Sequence, residues 1–488
     1  MQIPGFITDI LSRLQAAGYT SELVGGCVRD LLMGKEPKDW DLACSARPEE
    51  ILQVFPEGKY ENDFGTVIIP CRNEKHELLA AVEVTTYRSE KGYSDARHPD
   101  EVRFEKDLEK DLERRDFTVN AMAFRLVPEG QYVFGDQAFS LVDLFGGLKD
   151  IRKKVIRAVG EPADRFKEDA LRMMRAIRFC AQLGFELEPK TQRAIVKLAG
   201  SLKFVAKERI RDEFVKILSA EKPDEGILAL HEAKLLQYIM PELEQGVGVR
   251  QNHHHIYPVF KHNILSLRHC PSQEWQVRLA ALLHDVGKPK ARKLISGKVT
   301  FYNHEYIGAK MTDKIMFRLR FKTEDRERVV NLVRNHMFYY NVGEVTAASV
   351  RRLISKVGRE NLKDLIELRV ADRLGSGTPK AMPYKLRHLQ YMMEKVQHDP
   401  VSVKMLAING HDLMDNVGLA PSPKIGAILD VLLGEVLEDP ERNNKDYLLS
   451  RSQSLKDCDL EDLRAQARRS IEEKREEEDQ DIQKKFKV

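Results

Sequence analysis

The sequence predicts an α+β multidomain protein, a mixed α/β head followed by an all-helical remainder, and three observations carry that expectation. Short β-rich runs, SELVGG, GTVIIPCR and AAVEVTTYR, alternate with helical patterns between Tyr19 and about Asp150. After Glu161 apolar residues recur at helical spacing, with few strand-like runs. At 488 residues, 42% hydrophobic and 32% charged, the chain has room for about two to four domains of ordinary soluble composition.

Taken in order, MQIPGFITDILSRLQAAGYT reads as an amphipathic helix without a basic n-region, so neither a signal peptide nor a membrane span is expected. GEP at Gly160 to Pro162 opens a helical neck, and Gln245 to Asn252 and SGTPKAMP at Ser376 to Pro383 read as breaks. The expected division is 1–150, 151–250, 251–376 and a helical tail at 377–488, with Glu461 to Val488 a charged, solvated helix or frayed end. Six cysteines, with no close pair and no zinc-ribbon spacing, read as reduced thiols of a cytosolic protein. The formal charge of +3 hides a local excess: residues 151–200 carry 12 Lys or Arg against six Asp or Glu, a candidate track for an RNA backbone.

The chemistry concentrates first at LVGGCVRDLLMG and KDWDLAC. Asp39 and Asp41 are two apart, so on a strand they share a face and can hold hard, oxygen-preferring Mg²⁺ ions. Gly25 and Gly26 let a backbone approach triphosphate oxygens, and Arg29 can fork onto them. Together these suit in-line phosphoryl transfer from a nucleoside triphosphate. On a helix, Asp169 and Arg172 of EDALRMMRAIRF lie on neighbouring surface, and Arg175 and Arg178 continue the stripe. A carboxylate accepting an amino group beside a guanidinium donating to a ring nitrogen fits cytosine and adenine alike. Guanine and uracil place a carbonyl and an N–H there, so both contacts fail.

RRDFTVNAMAF at Arg114 to Phe124, DLFGGLKDI at Asp143 to Ile151, EDALRMMRAIRF at Glu168 to Phe179 and ERIRDEF at Glu208 to Phe214 follow the DxD segment in order. With them, residues 20 to 220 resemble the class II tRNA nucleotidyltransferases, bacterial enzymes that build or repair the 3′ CCA end of tRNA. The resemblance implies a nucleotidyltransferase head, then neck, body and tail, with tRNA, CTP and ATP as partners and neither membrane nor DNA expected. It implies Glu83 as a third carboxylate, and Arg115 and Asp116, with Asn120 close by, at the ribose and triphosphate. It also brings Arg175 and Arg178 to the nucleotide. The polar loop Arg88 to Phe104 disfavours cytosine-only addition, and Ala170 stands where the poly(A) polymerases carry proline. Full CCA addition is expected, with A addition alone the alternative.

His262, the pair His284 and Asp285, and Asp372, each set among apolar helical residues, resemble the HD phosphohydrolase domain. That resemblance implies a divalent transition metal or Mg²⁺ held by these four, with His304 and His336 where extended members carry further ligands. A competing class is a hydrolase whose head only binds RNA; the intact Asp39 and Asp41 argue against it, and against a pure RNA-binding module.

Overall fold

The computed structural model describes residues 2–62, 65–73, 75–91, 101–251, 256–296, 298–344, 346–397, 403, 406–467 and 483–487. Residues 92–100 of the polar loop, the run His253 to His255 and residues 468–482 of the charged tail lie outside the described residues. The chain divides into two compact units, residues 1–336 with 367–378, and residues 337–366 with 379–488.

The first unit begins with helix α1 (Gly5–Ala16), which buries Ile7, Ile10, Leu11 and Leu14 at helical spacing. Strand β1 (Ser21–Val24) leads into α2 (Gly26–Leu32), then β2 (Asp41–Cys44) and α3 (Pro48–Val54). β3 (Lys59–Asn62), β4 (Thr66–Arg72) and β5 (Leu78–Thr86) follow; then β6 (Arg88–Lys91) and β7 (Glu101–Phe104), α4 (Leu108–Glu113), and β8 (Ala123–Val127), β9 (Tyr132–Phe134) and β10 (Gln137–Val142). Eight of these strands form one sheet in the order β3-β4-β5-β2-β1-β8-β10-β9. β2 and β5 pair in parallel, Asp41 beside Glu83, while their neighbours run antiparallel. The period of two along β5 buries Val82, Val84 and Thr86 and turns Glu83 to the opposite, exposed face. The central strand β1 is buried at all four positions.

The expected loop at Arg88 to Phe104 is in part a ribbon, because β6 and β7 pair antiparallel from Arg88 opposite Phe104 to Lys91 opposite Glu101. Beyond α5 (Gly147–Lys153), helices α6 (Pro162–Glu168), α7 (Leu171–Leu183), α8 (Pro189–Leu198), α9 (Lys207–Leu218) and α10 (Pro223–Glu232) form the neck. Short α11 (Leu236–Ile239) and α12 (Pro241–Glu244) precede α13 (Val259–Arg268), α14 (Trp275–Leu283), α15 (Lys288–Ala291), α16 (His304–Arg318) and α17 (Thr323–Asn335). The second unit holds α18 (Ala347–Val357), the start of α19 (Leu362–Gly375), and α20 (Tyr384–Gln397), α21 (Gly410–Val417), α22 (Pro423–Glu438) and α23 (Lys445–Leu455). Its core includes Leu413, Ile428, Leu432 and Leu448. No helix among the described residues is long and apolar enough to cross a membrane, and the six cysteines are free thiols.

One expectation needs correction. EDALRMMRAIRF does not start as helix: α6 stops at Glu168 and Asp169 is extended, φ −143° and ψ 106°. Its carboxylate takes the backbone N–H of Leu171 at 3.0 Å, the short-range bond by which an aspartate competes with helix continuation.

Candidate functional site

A cavity of about 1020 Å³ in the first unit is lined by Gly25, Gly26, Arg29, Asp39, Asp41, Arg115, Asp116, Asn120, Asp169, Arg172, Arg175 and Arg178. Asp39 and Asp41 stand at its sheet wall, whereas Glu83, expected beside them, is their neighbour on the sheet and not one of the lining residues. Asp41 starts β2 and Glu83 is its register partner on β5, whereas Asp39 lies in the bend before the strand. Asp41 is exposed at the cavity, yet the protein packed around it removes enough water to raise its carboxyl, with Arg115 pulling the other way and Asp39 adding to the rise. Glu83, though on the exposed face, is raised too, by partial desolvation from the surrounding protein and then by Asp41, Glu61 and Asp39. Such a set of crowded carboxylates is relieved by a hard divalent cation, and its all-oxygen donors fit Mg²⁺.

Gly25 shows why glycine is needed beside these acids. Its φ of +77° is left-handed, and a Cβ there would sit 2.9 Å from Arg115 Nη1 and 3.6 Å from Asp41 Oδ2. The bare backbone therefore faces the guanidinium and the carboxylate together.

On the neck side the arginines are tied into one network. Arg29 donates through Nη1 to Asn120 Oδ1 at 2.7 Å and pairs with Asp30 at 2.8 Å. Asp116, buried, receives Arg175 Nε at 2.7 Å. Burial works against ionisation of Asp116, but Arg175 and Arg172 with Asn120 bring its carboxyl below the usual value. Arg178, also buried, pairs with Glu213 at 3.2 Å, and its guanidinium lies 4.3 Å from the Phe179 ring centroid. The side chains of Asp169 and Arg172 do not pair with each other, although the Arg172 N–H reaches the Asp169 carbonyl at 3.0 Å. Asp169 is held by Arg209 at 2.7 Å, and Arg172 by Glu168.

One base that lines the cavity, Arg209, and four acids in the surrounding structure escaped the sequence reading. Asp111 is fully buried and grips Arg114 at 2.6 Å and Arg115 at 3.0 Å, so it aims the arginine that faces Asp41. Its i+3 and i+4 spacing to those arginines was the available signal. Glu22, buried in mid-sheet, accepts from Arg125 at 2.6 Å and from the Tyr87 hydroxyl. Glu168 and the two partners on α9, Arg209 and Glu213, carry no signal except membership of recognised motifs. DLFGGLKDI supports the site from behind: Asp143 accepts from the backbone of Gly147 at 2.7 Å, and Asp150 from Thr118 Oγ1 at 2.7 Å.

A second constellation lies in the same unit. His262 on α13, His284 closing α14, Asp285 in the following turn and Asp372 on α19 converge with His304 at the start of α16 and His336 at the end of α17. Two groups of three ligand atoms lie within 4.8 Å of one another, His262 with His284 and Asp372, and Asp285 with His304 and His336. His262 Nε2 and His284 Nε2 are 3.0 Å apart, with Asp285 Oδ2 3.2 Å and Asp372 Oδ1 3.3 Å from the former. The Nδ1 atoms of His284, His304 and His336 each contact the carbonyl three residues earlier, at 2.8, 2.8 and 2.6 Å. An Nδ1–H donated there leaves the Nε2 lone pair facing inward, the orientation that metal-binding histidines need. Among the described residues the buried Nε2 atoms of His304 and His336 have no hydrogen-bond partner, and they face Asp285 Oδ1 at 3.2 and 3.8 Å. Burial opposes charge on His284, yet Asp285 and Asp372 push it up to about 10, while burial and the His284 charge take His336 down to about 3. The donor set fits a divalent metal. The turn is tight: a Cβ on Gly287 would meet the His304 carbonyl at 2.2 Å.

A sheet-borne acid cluster beneath an arginine-rich neck, joined to a helical His/Asp centre, is the layout of a nucleotidyltransferase with an HD domain. Residues 21–157 match the family model of the poly A polymerase head domain, residues 184–246 the probable RNA and SrmB-binding site of polymerase A, and residues 264–376 the HD domain. The A-adding tRNA nucleotidyltransferase of Deinococcus radiodurans is 35% identical over 442 residues, covering 85% of this chain and 92% of that protein. The CCA-adding enzyme of Enterococcus faecalis is 31% identical over 445 residues, covering 90% and 93%. The crystal structure of the Bacillus stearothermophilus CCA-adding enzyme in complex with CTP superposes with a TM-score of 0.58 at 26% identity, covering 92% of this chain and 98% of that one. The chain belongs to the family of tRNA nucleotidyltransferases that includes the CCA-adding enzymes, and it is a template-independent RNA nucleotidyltransferase carrying an HD domain.

Proposed function

We propose that this chain adds C, C and A in turn to the 3′ end of tRNA, using CTP and ATP. The observation that carries the reading is one cavity that joins the acids Asp39 and Asp41, the bare Gly25 backbone and the polar edge of Asp169 and Arg172. Asp39 and Asp41, with Glu83 as a third carboxylate nearby, would hold Mg²⁺, which would supply the positive charge that lowers the pKa of the tRNA 3′ hydroxyl and neutralises the departing pyrophosphate. Gly25, Gly26, Arg29 and Arg115 grip the triphosphate, with Asp111 aiming Arg115. Asp116, Asn120, Arg175 and Arg178 place the nucleoside under the arginine-rich neck. Asp169 and Arg172 read the amino group and ring nitrogen shared by cytosine and adenine. The tRNA lies along the basic neck, recognised by shape and phosphate in a cytosolic setting, with no role for DNA or membrane.

The HD part serves hydrolysis of small phosphoesters: His262, His284, Asp285 and Asp372, extended by His304 and His336, would hold a divalent metal, which would supply the charge that activates water there. The domains that carry these roles are 1–150, 151–250, 251–376 and 377–488. Addition of the terminal A alone is the second reading, favoured by the likeness to the Deinococcus radiodurans A-adding protein.

The test separates addition from hydrolysis and from mere RNA binding. Asp39→Ala and Asp41→Ala should each abolish incorporation of both CTP and ATP while tRNA binding and phosphatase activity persist. Undiminished incorporation in both variants would remove the head from catalysis.

A further inference from the structure

Three arginines of the cavity wall crowd one uncharged ring. Arg29 of α2 and Arg175 and Arg178 of α7 place their guanidinium carbons 5.5, 5.6 and 4.3 Å from the ring centroid of Phe179, which lines the same cavity. The ring is buried, and Phe117, buried in turn, meets it at 80° with centroids 5.7 Å apart. Phe117 follows Asp116 in the chain, so a head residue fixes the tilt of a ring that the neck helix carries.

Like charges repel, and the carboxylates nearby answer that repulsion unevenly. Arg29 has Asp30 and Asn120, and Arg175 has Asp116. Arg178 is served worst. Its Nη1 lies 3.5 Å from Glu213 Oε1, at the limit of a hydrogen bond, and that oxygen also takes Lys216 at 3.3 Å. Among the described residues its buried Nε and Glu213 Oε2 have no hydrogen-bond partner, although the two stand 3.2 Å apart. Burial lowers the Arg178 pKa; Glu213 opposes this, and Arg175 and Arg29 add to it. For a buried, poorly bonded guanidinium the negative face of an aromatic ring is the remaining source of attraction, and it counts for most where water is excluded. A leucine would fill the same space without supplying it.

We propose that Phe179 is a positioning residue for the incoming nucleoside triphosphate: its ring holds Arg178, and with it Arg29 and Arg175, against one another's charge, so that three guanidinia stand ready on one wall before the polyanion arrives. The proposal rests on the reading that these arginines hold the nucleotide. A phenyl ring carries no hydrogen-bond donor or acceptor, so its effect falls on affinity for CTP and ATP alike.

The experiment measures kcat and KM of the full-length protein for CTP and ATP incorporation into tRNA. The variants are F179L, R29M, R178M, F179L with R178M, and a series carrying one, two and three fluorines on the Phe179 ring. Each fluorine withdraws charge from the ring face at nearly constant shape, so KM for both triphosphates should climb stepwise, reaching about 10-fold at three fluorines, while kcat stays within about twofold. F179L should raise KM at least as far. A packing role alone predicts a parental KM throughout the fluorine series, and that result would overturn the proposal. F179L and R178M together should cost less than the product of their separate losses, because the ring acts through the guanidinium; a full product would overturn it too. If R29M and R178M raise KM while the fluorine series does not, the nucleotide reading stands and the role of Phe179 falls. Parental KM in both arginine variants removes the nucleotide reading, and the proposal with it. Thermal melts accompany each variant, and should F179L fail to fold, the fluorine series decides.

Discussion

Asp116 ties the head to the neck through a single carboxylate, since it bonds Arg175 of α7 while Asn120, in its own motif, takes Arg29 of α2. Its carboxyl is held below the usual value, so its contribution to stability is complete above the unfolded pKa near 4 and is lost as pH falls through the lower folded one. Asp116→Asn should therefore cost on the order of 2 kcal/mol at pH 7, discounted because Arg175 is one-third exposed, and the gap to the parent should close below about pH 4. Melting curves from pH 7 to pH 3 check it, and a gap independent of pH would contradict it. If Arg172 donates to the base, Arg172→Ala should raise relative use of UTP and GTP as well as slow addition; equal losses for every triphosphate would leave Arg172 a structural role. That Asp41, Arg115 and Arg172 would line one cavity was legible in the sequence from their spaced motifs. Asp111, Glu22 and Glu213 were not, because their importance comes from burial opposite an arginine, and a lone acidic letter in a helix or strand looks like solvated surface.

Among elements, the strands of the head and the helices beyond Glu161 follow from hydrophobic period, and the breaks at Gly160 and Ser376 follow from glycine and proline. The interruption at Asp169 does not, because an aspartate capping its own chain two residues on competes with a helix pattern that is otherwise unbroken. The ribbon of β6 and β7 was likewise hidden in a segment too polar to read as strand, since its four-residue arms gain order from pairing with each other. Because that ribbon brackets residues 92–100, deleting those nine residues should spare C incorporation and abolish terminal A, if the segment moves when the pocket changes base. Separate assays of CTP and ATP incorporation decide this. Retained A addition would count against the switching role.

Two candidate metal-binding clusters share the molecule without sharing ligands. The head gathers carboxylates only, whereas the HD cluster combines four histidines with Asp285 and Asp372. Their metal demands should differ accordingly. His284→Ala with Asp285→Ala should remove metal-dependent phosphoester hydrolysis and leave Mg²⁺-supported nucleotide addition intact. Metal binding energy can also be folding energy, so a circular-dichroism melt belongs with the assay. Absence of hydrolysis in the folded parent with Mn²⁺, Ni²⁺ and Mg²⁺ each supplied would remove that activity from the account. The central claim is the addition itself, and sequencing the products tests it most directly. A tRNA ending before CCA, incubated with this protein, CTP and ATP, should end in C, C and A, in that order. Products that gain only A, and only on a tRNA already ending in CC, would contradict it.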